Sequence, residues 1–318
     1  MVVQGEPMKA KLTAQAFDDP AWIFERKLDG ERAIVQRTAA GVKLLSRTGR
    51  RMDNYPELTE AFEAESAQDF VADGEIVAFE GSRTSFEKLQ GRIGIADGRL
   101  ARLTGIKVFI YLFDLLELEG HDLTGLPLRE RKLLLRSHLE FHGPVRYTQH
   151  RNAKGRKYFL EACQKGWEGL VAKRVESTYT HSRSNDWLKI KCSYGQELVI
   201  GGFTPPKGSR ERFGALLVGY NEGGDLRYAG KVGTGFDQRT LEMLGDKMEA
   251  LRQDRSPFTA GSGLPREATW IRPELVGEFG FSEWTRDGKL RHPRYLGLRD
   301  DKKASEVVRE LPTAKAPG

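Results

Sequence analysis

The sequence predicts a two-domain α+β protein, on three observations. The chain has 318 residues, a length that suits two domains better than one. Strand-like and helix-like segments mix through the first 190 residues. After Cys192 the texture changes to short alternating strands, glycine corners and one helix. The boundary is therefore placed at residue 192, giving domains of 1–192 and 193–318.

The elements follow in chain order. "AIVQRT" and "VKLLSR" read as two strands joined by an "AAG" turn. "NYPELTEAFEAE" has helical spacing, with Leu58 and Phe62 on one face. "DFVADGEIVAFEG" has strand character around an Asp73-Gly74 turn. "GIKVFIYLFDLLEL" is a long apolar run rich in β-branched and aromatic residues, which predicts a buried central strand. "PLRERKLLLRSHLEF" reads as a helix with proline near its start and leucines on one side. In the second domain "ELVIGGFT", "GALLVGYNEGGDLRYAGKVG" and "LVGEFGFSEWT" are short strands between Gly, Asn and Asp turns. "DQRTLEMLGDKMEALRQ" is their one amphipathic helix, and the set suggests a small barrel of the OB-fold type. "TPPKGSR" reads as a rigid basic loop and "PTAKAPG" as a mobile tail.

Composition narrows the function classes. Charged residues make up 30% of the chain and the net charge is +6, a basic lean that favours an acidic partner. The chain has two cysteines, Cys163 and Cys192, without a CxxC pair, so neither a zinc site nor a disulfide framework is expected. A reducing cytoplasm is the default compartment. The six histidines form no HExxH motif. An apolar run long enough to span a membrane is absent, as is a charged-then-apolar leader.

Chemistry enters at "FERKLDGERA", where Lys27 closes a strand and precedes an Asp-Gly turn. A free lysine titrates near pH ~10.4, so reaching the neutral nucleophile at pH 7 costs about 4–5 kcal/mol. Taken alone, "KLDG" is a surface turn. Further charged stretches follow at strand ends: "SRTGR" (46–50), "DGEIV" (73–77), "YLFDLL" (111–116), "EGLVAKR" (168–174), "WLKIK" (187–191) and "RHPRYLGLRDDK" (291–302). Each has a bland reading: Arg47 as a solvated hairpin residue, Phe113 as core, Glu168 and Lys173 as surface charges. In this order a single constellation explains them better.

"KLDGER" is similar to the KxDGxR signature of the covalent nucleotidyltransferase superfamily, which comprises ATP-dependent DNA ligases, RNA ligases and capping enzymes. The other stretches resemble the remaining motifs of that superfamily, in order, over nearly the whole chain. "VIGGFTPPKGSRERFGALLVGY", "RYAGKVGTGF" and "FSEWTRDGKLRHPRYLGLRDDK" look like the ligase module of bacterial and archaeal LigD-type end-joining ligases. The resemblance implies a nucleotidyltransferase (adenylation) domain, with antiparallel sheets and flanking helices, followed by an OB-fold β-barrel.

The resemblance also implies roles. Lys27 would attack the α-phosphate of ATP, leaving a lysine–AMP linkage; AMP would pass to a DNA 5′-phosphate, and the 3′-hydroxyl would expel it. Lys189 and Lys191 alternate with apolar neighbours, so both amines face one pocket, to neutralise the α-phosphate and disfavour protonation of Lys27. Glu75 and Glu168 are hard oxygen donors for Mg²⁺ or Mn²⁺, or else hold ribose or orient Lys27. Phe113 would stack on adenine and Glu25 would lie at the adenine edge, while Arg32 and Arg47 would hold ribose and the 5′-phosphate. Asp29 would shape the turn. Arg299 and Lys302 would swing over the nucleotide to orient pyrophosphate, on a second domain hinged just after Lys191. Within these residues no helical DNA-binding domain precedes Lys27 and no polymerase or phosphoesterase segment is seen, so the two domains would grip DNA between them. The expected partner is double-stranded DNA with nicks or ends, with Ku implied by the resemblance alone. A monomeric, cytoplasmic, nucleoid-associated enzyme is the expectation. The rivals are an RNA ligase or capping-type nucleotidyltransferase, which "EGLVAKR" and "RDDK" disfavour, and a non-catalytic OB-type nucleic-acid-binding protein.

Overall fold

Lys27 ends the longest strand of its sheet, and the fold is arranged around that end. The computed structural model describes residues 6–13, 15–67, 69–192, 195–206, 208, 211–281 and 283–310. The chain divides into two compact units, Met1–Cys192 and Ser193–Glu310.

The first unit opens with β1 (Lys9–Leu12) and β2 (Asp18–Lys27). A short turn leads into β3 (Glu31–Thr38), which pairs antiparallel with β4 (Gly41–Ser46) across the expected hairpin. Helix α1 (Pro56–Glu63) starts on proline, which suits a first turn with no use for its amide, and buries Leu58 and Phe62. Then come β5 (Phe70–Glu80), β6 (Arg83–Thr84), α2 (Phe86–Gln90) and α3 (Gly98–Leu103). The two helices are capped by the side chains of Ser85 and Asp97. The carboxylate of Asp29 accepts from the Phe86 amide (3.0 Å), so it does shape the turn, tying it to α2. The apolar run is β7 (Val108–Leu118), buried along most of its length. The unit finishes with β8 (His121–Asp122), α4 (Leu128–His138), β9 (Val145–Tyr147), β10 (His150–Lys154), α5 (Gly155–Gln164), β11 (Gly169–Arg174) and β12 (Arg183–Lys191).

These strands form two sheets. One has the order β1-β12-β11-β2-β10; the other runs β4-β3-β5-β7-β8, with β6 on β5 and β9 on β7. Each has its own core: Trp22, Phe24, Leu170, Leu188 and Ile190 pack with Tyr158 and Ala162 of α5, and the second sheet packs with α1, α2 and α4. A smaller cluster, Met8, Ile34, Val71, Phe113, Leu116, Tyr179 and Trp187, joins residues of both sheets. Each such fully buried large side chain contributes about 1.5–3 kcal/mol.

The structure corrects three expectations here. Asp73 and Gly74 are not a turn but lie inside β5, where the register against β7 shifts between them. A Cβ at Gly74 would lie 2.9 Å from the Tyr111 carbonyl oxygen, so this glycine marks close strand approach. The leucines of α4 do not define its buried side: Arg131 and Lys132 point inward with Leu128 and Leu135, while Leu133 is 67% exposed. The reason is electrostatic, because Arg131 forks onto buried Asp114 (2.7 and 2.9 Å) and Lys132 meets buried Glu25 (2.5 Å). Finally, Cys163 and Cys192 form a disulfide, with Cα atoms 5.3 Å apart. Their separation of 29 residues gives no sequence signal, but β12 returns beside the last turn of α5.

The second unit contains β13 (Gly195–Phe203), β14 (Leu216–Glu222), β15 (Asp225–Val232), α6 (Gln238–Glu249) and β16 (Arg252–Gln253). β17 (Thr269–Ile271), β18 (Val276–Gly280), β19 (Glu283–Trp284), β20 (Leu290–Arg291) and β21 (Arg294–Leu298) follow. β13 organises the sheet: its first half pairs with β18 and its last residues with β17, while β14 lies along its other edge. The bend sits at Gly201 and Gly202, where a Cβ would strike Phe258 and the Thr269 carbonyl. Leu241, Leu244 and Met248 of α6 close the core. Of "TPPKGSR", Lys207, Ser209 and Arg210 lie outside the described residues, as do Ser193 and Tyr194 at the expected hinge and the whole tail "PTAKAPG". Among the described residues no helix is long and apolar enough to cross a membrane.

Candidate active site

Strand pairing places the charged side chains of the first unit on one sheet face. Gly169 of β11 lies opposite Lys27 on one side and Lys191 on the other; Val171 lies likewise between Glu25 and Lys189, and Lys173 between Ile23 and Trp187. On the outer edge His150 pairs with Glu25. Side chains alternate along a strand, so Lys27, Glu25, Lys173, Lys189, Lys191 and His150 share a face. Phe24, Leu170, Leu188 and Ile190 occupy the other face, in the core that includes α5. Gly169 permits this spacing: its φ is +148°, and a Cβ there would sit 1.9 Å from the Ile190 carbonyl oxygen.

Glu168, just before that glycine, accepts a hydrogen bond from Lys27 Nζ at 2.6 Å and stands 3.8 Å from Lys191 Nζ. Burial pushes the Glu168 carboxyl upward, but Lys27, Lys191 and Lys189 together hold it below its usual range. Burial likewise works against the Lys27 ammonium, and Lys191 adds to that; Glu168 and Glu75 outweigh both and raise the amine above its ordinary value. Lys191 thus works against protonation of Lys27, but the acids outweigh it. The acids dominate because one of them is in direct contact.

Around this pair stand two buried ionic groups. Glu25 is 2% exposed and lies between Lys132 (2.5 Å) and Lys173 (2.7 Å), which hold its carboxyl low against the penalty of burial. Lys173, buried and beside Lys132, is pushed down to about 8 despite Glu25. Its amine lies 4.1 Å from the centres of both the Phe113 and Trp187 rings. The Glu25 side chain is therefore committed to the two lysines. Arg32, register partner of Glu75, forks onto Asp73 and donates to the Met8 carbonyl (3.2 Å), with its guanidinium 4.7 Å from the Phe113 ring. Tyr179 donates to the same Asp73 (2.6 Å). Phe113 is 8% exposed, and Arg47 is half-buried in the turn after β4.

In the second unit Arg299 forks onto Asp301 (2.9 and 3.0 Å), with Glu278 at 4.0 Å, and Lys302 meets Glu197 at 3.1 Å. Burial opposes the Arg299 charge, but these acids hold it well above its usual value.

Lys132 and Lys173 are the residues that sequence reasoning missed. Lys173 ends an apolar run, as surface charges do, and Lys132 sits in "RERK", which reads as a solvated face. A signal existed only in combination: Glu25 falls two residues before Lys27 on the same strand face, so a buried site would need cations for it. Among the described residues no group of three or more His, Cys, Asp or Glu side chains gathers for a metal. Glu75 and Glu168 are two carboxylates, a donor set that suits Mg²⁺ shared with substrate phosphates.

Comparison with known proteins agrees with this geometry. Residues 7–191 match the family of the ATP dependent DNA ligase domain, and residues 209–302 match the ATP dependent DNA ligase C terminal region. The chain is 37% identical over 305 residues to the multifunctional non-homologous end joining protein LigD of Pseudomonas aeruginosa, covering 93% of this chain and 36% of that protein. It is 39% identical over 297 residues to the LigD end joining DNA repair protein of Mycobacterium tuberculosis, covering 91% of this chain and 37% of that one. The chain thus spans little more than a third of these relatives. Among solved structures it matches a mycobacterial DNA ligase D complexed with ATP and MES at TM-score 0.68 and 34% identity, covering 98% of this chain and all of that one. The architecture is accordingly a nucleotidyltransferase domain followed by an OB-fold barrel, and the chain belongs to the ATP-dependent DNA ligase family.

Proposed function

We propose that this chain seals 5′-phosphate/3′-hydroxyl breaks in double-stranded DNA by three phosphoryl transfers beginning at Lys27, and that it serves double-strand-break repair by end joining. The observation that carries the reading is the convergence of Lys27, Glu168 and Lys191 at one edge of one sheet face. Such transfers need in-line positioning and charge neutralisation more than acid–base chemistry. In the first, Lys27 loses its proton to water, its amine bonds the α-phosphorus of ATP, and the bond to pyrophosphate breaks as pyrophosphate leaves. Lys189 and Lys191 offset charge on that phosphate. Arg299 and Lys302 orient the pyrophosphate, for which they must leave Asp301 and Glu197. Phe113 bounds the adenine site, the backbone at Glu25 meets the base edge, and Arg32 and Arg47 serve ribose and the DNA 5′-phosphate. A divalent cation, Mg²⁺ or Mn²⁺, held by Glu75 and Glu168, would supply charge neutralisation at the phosphates.

The end-joining role rests on the likeness to the LigD relatives, whose names carry it. A Ku-type end-binding partner, a nucleoid-associated location and a monomeric state belong to the same proposal. The test is sealing of a 5′-phosphorylated nicked duplex with ATP and Mg²⁺. Ligated strand is expected with ATP and absent with GTP or with an RNA nick alone; sealing restricted to RNA would move the assignment to RNA ligation.

A further inference from the structure

The Cys163–Cys192 disulfide lies at the end of the hairpin that carries the lysine–glutamate pair. Cys163 occupies the last turn of α5. The chain then turns, with the Gly166 amide on the Cys163 carbonyl (3.0 Å) and the Trp167 amide on the Ala162 carbonyl (3.0 Å), and arrives at Glu168. Cys192 follows Lys191 directly, and its amide donates to the Glu168 carbonyl (2.9 Å). The crosslink therefore closes a ring that runs from Cys163 through Glu168, across the β11–β12 pairing to Lys191, and back through Cys192. Glu168, which accepts from Lys27, and Lys191, 3.8 Å from the same carboxylate, both sit inside it. Beyond Cys192 the chain leaves the unit, so the disulfide is its last covalent anchor. Both cysteines are half-buried, Cys192 against the core beside α5.

We propose that Cys163 and Cys192 are positioning residues for the Glu168–Lys191 pair, and that thiol–disulfide exchange between them sets the rate at which Lys27 is adenylylated. The proposal rests on the ligase reading above. Opening requires a dithiol reductant: its thiolate attacks one sulfur, forming a mixed disulfide and releasing the other cysteine as thiolate, which water protonates. The second thiol of the reductant then displaces the remaining cysteine and closes a cyclic disulfide. Two electrons and two protons have passed to the protein. With the ring open, the Gly169–Lys191 pairing of β11 with β12 remains but loses the tie that fixes its end.

The experiment follows covalent labelling by α-phosphate-labelled ATP in protein purified without reductant, before and after dithiothreitol, with free thiols titrated in both states. Thiols should rise from none to two. The labelling rate at saturating ATP should fall about 3- to 10-fold, because small misplacements of charged groups cost rate steeply. The concentration of ATP giving half-maximal rate should change less than about twofold, since ring opening touches the attack more than the binding of nucleotide. Oxidised glutathione should restore the rate, and Cys163→Ser/Cys192→Ser should label at the reduced rate whatever the reagent. Two free thiols in the untreated protein, equal rates in the two states, or a dithiothreitol effect that persists in the double variant would each overturn the proposal. No label in either state, with thiols titrating from none to two, would overturn the ligase reading and this inference together.

Discussion

Lys27 and Glu168 form an ion pair that must separate before the amine can act. Because the acids hold the Lys27 ammonium above its ordinary range, little neutral amine exists at pH 7 in the free protein. Adenylylation should therefore speed up with alkali, and its rise should extend beyond the range of an ordinary lysine. Below the raised value of Lys27 the rate should rise about tenfold per pH unit. Glu168→Gln removes the main acid in contact with Lys27, so its profile should shift toward lower pH, while the maximal rate falls about 100-fold for loss of a preorganised charge. A profile unmoved by Glu168→Gln would mean that the ion pair does not control the lysine. These partners were only half legible beforehand. The lysines and glutamates announced themselves through ordered motifs, but which of them governs the Lys27 proton depends on a 2.6 Å contact that no spacing encodes. Lys132 and Lys173 were hidden for a related reason, since a buried lysine and a solvated one look alike until Glu25 is seen between them.

Strands carry these side chains, and the pairing of β11 with β12 is the most exacting of them. Gly169 brings the two backbones so close that any side chain would meet the Ile190 carbonyl. Gly169→Ala should therefore cost about 3 kcal/mol or more. It should lower the melting temperature and suppress labelling, because Glu168 and Lys191 flank the break. Normal labelling in a stable variant would show that the hairpin end tolerates displacement. Periodicity identified β3, β4, β7, α1 and α6 well, since each has one apolar face or a continuous apolar run. It failed at Asp73-Gly74, where a turn-like dipeptide serves close strand approach, and at α4, where ionic partners reverse the buried side. Local sequence carries propensity, whereas these two features are set by what lies across the sheet.

The two units hold separate cores, and the residues proposed for nucleotide chemistry are divided between them. Lys27 lies in the first; Arg299 and Lys302 lie in the second, paired with Asp301 and Glu197. If they orient pyrophosphate, their work ends once AMP is on the protein. Arg299→Ala and Lys302→Ala should then slow adenylylation by about 100-fold, in the range of a lost charge clamp, while leaving sealing of a pre-adenylylated nick within a few fold. Equal loss of both steps would remove them from that role. The change of texture after Cys192 made two units legible in the sequence; Cys192's disulfide to the first of them was not, since two lone cysteines give no pattern. Every step of the proposed reaction starts from one covalent bond. The decisive measurement is therefore to incubate the protein with ATP and Mg²⁺, digest it and map the adenylylated peptide by mass spectrometry, with Lys27→Ala beside it. AMP on Lys27, absent from the variant, is the predicted result. AMP on another lysine, or none in protein shown not to carry AMP already, would contradict the account.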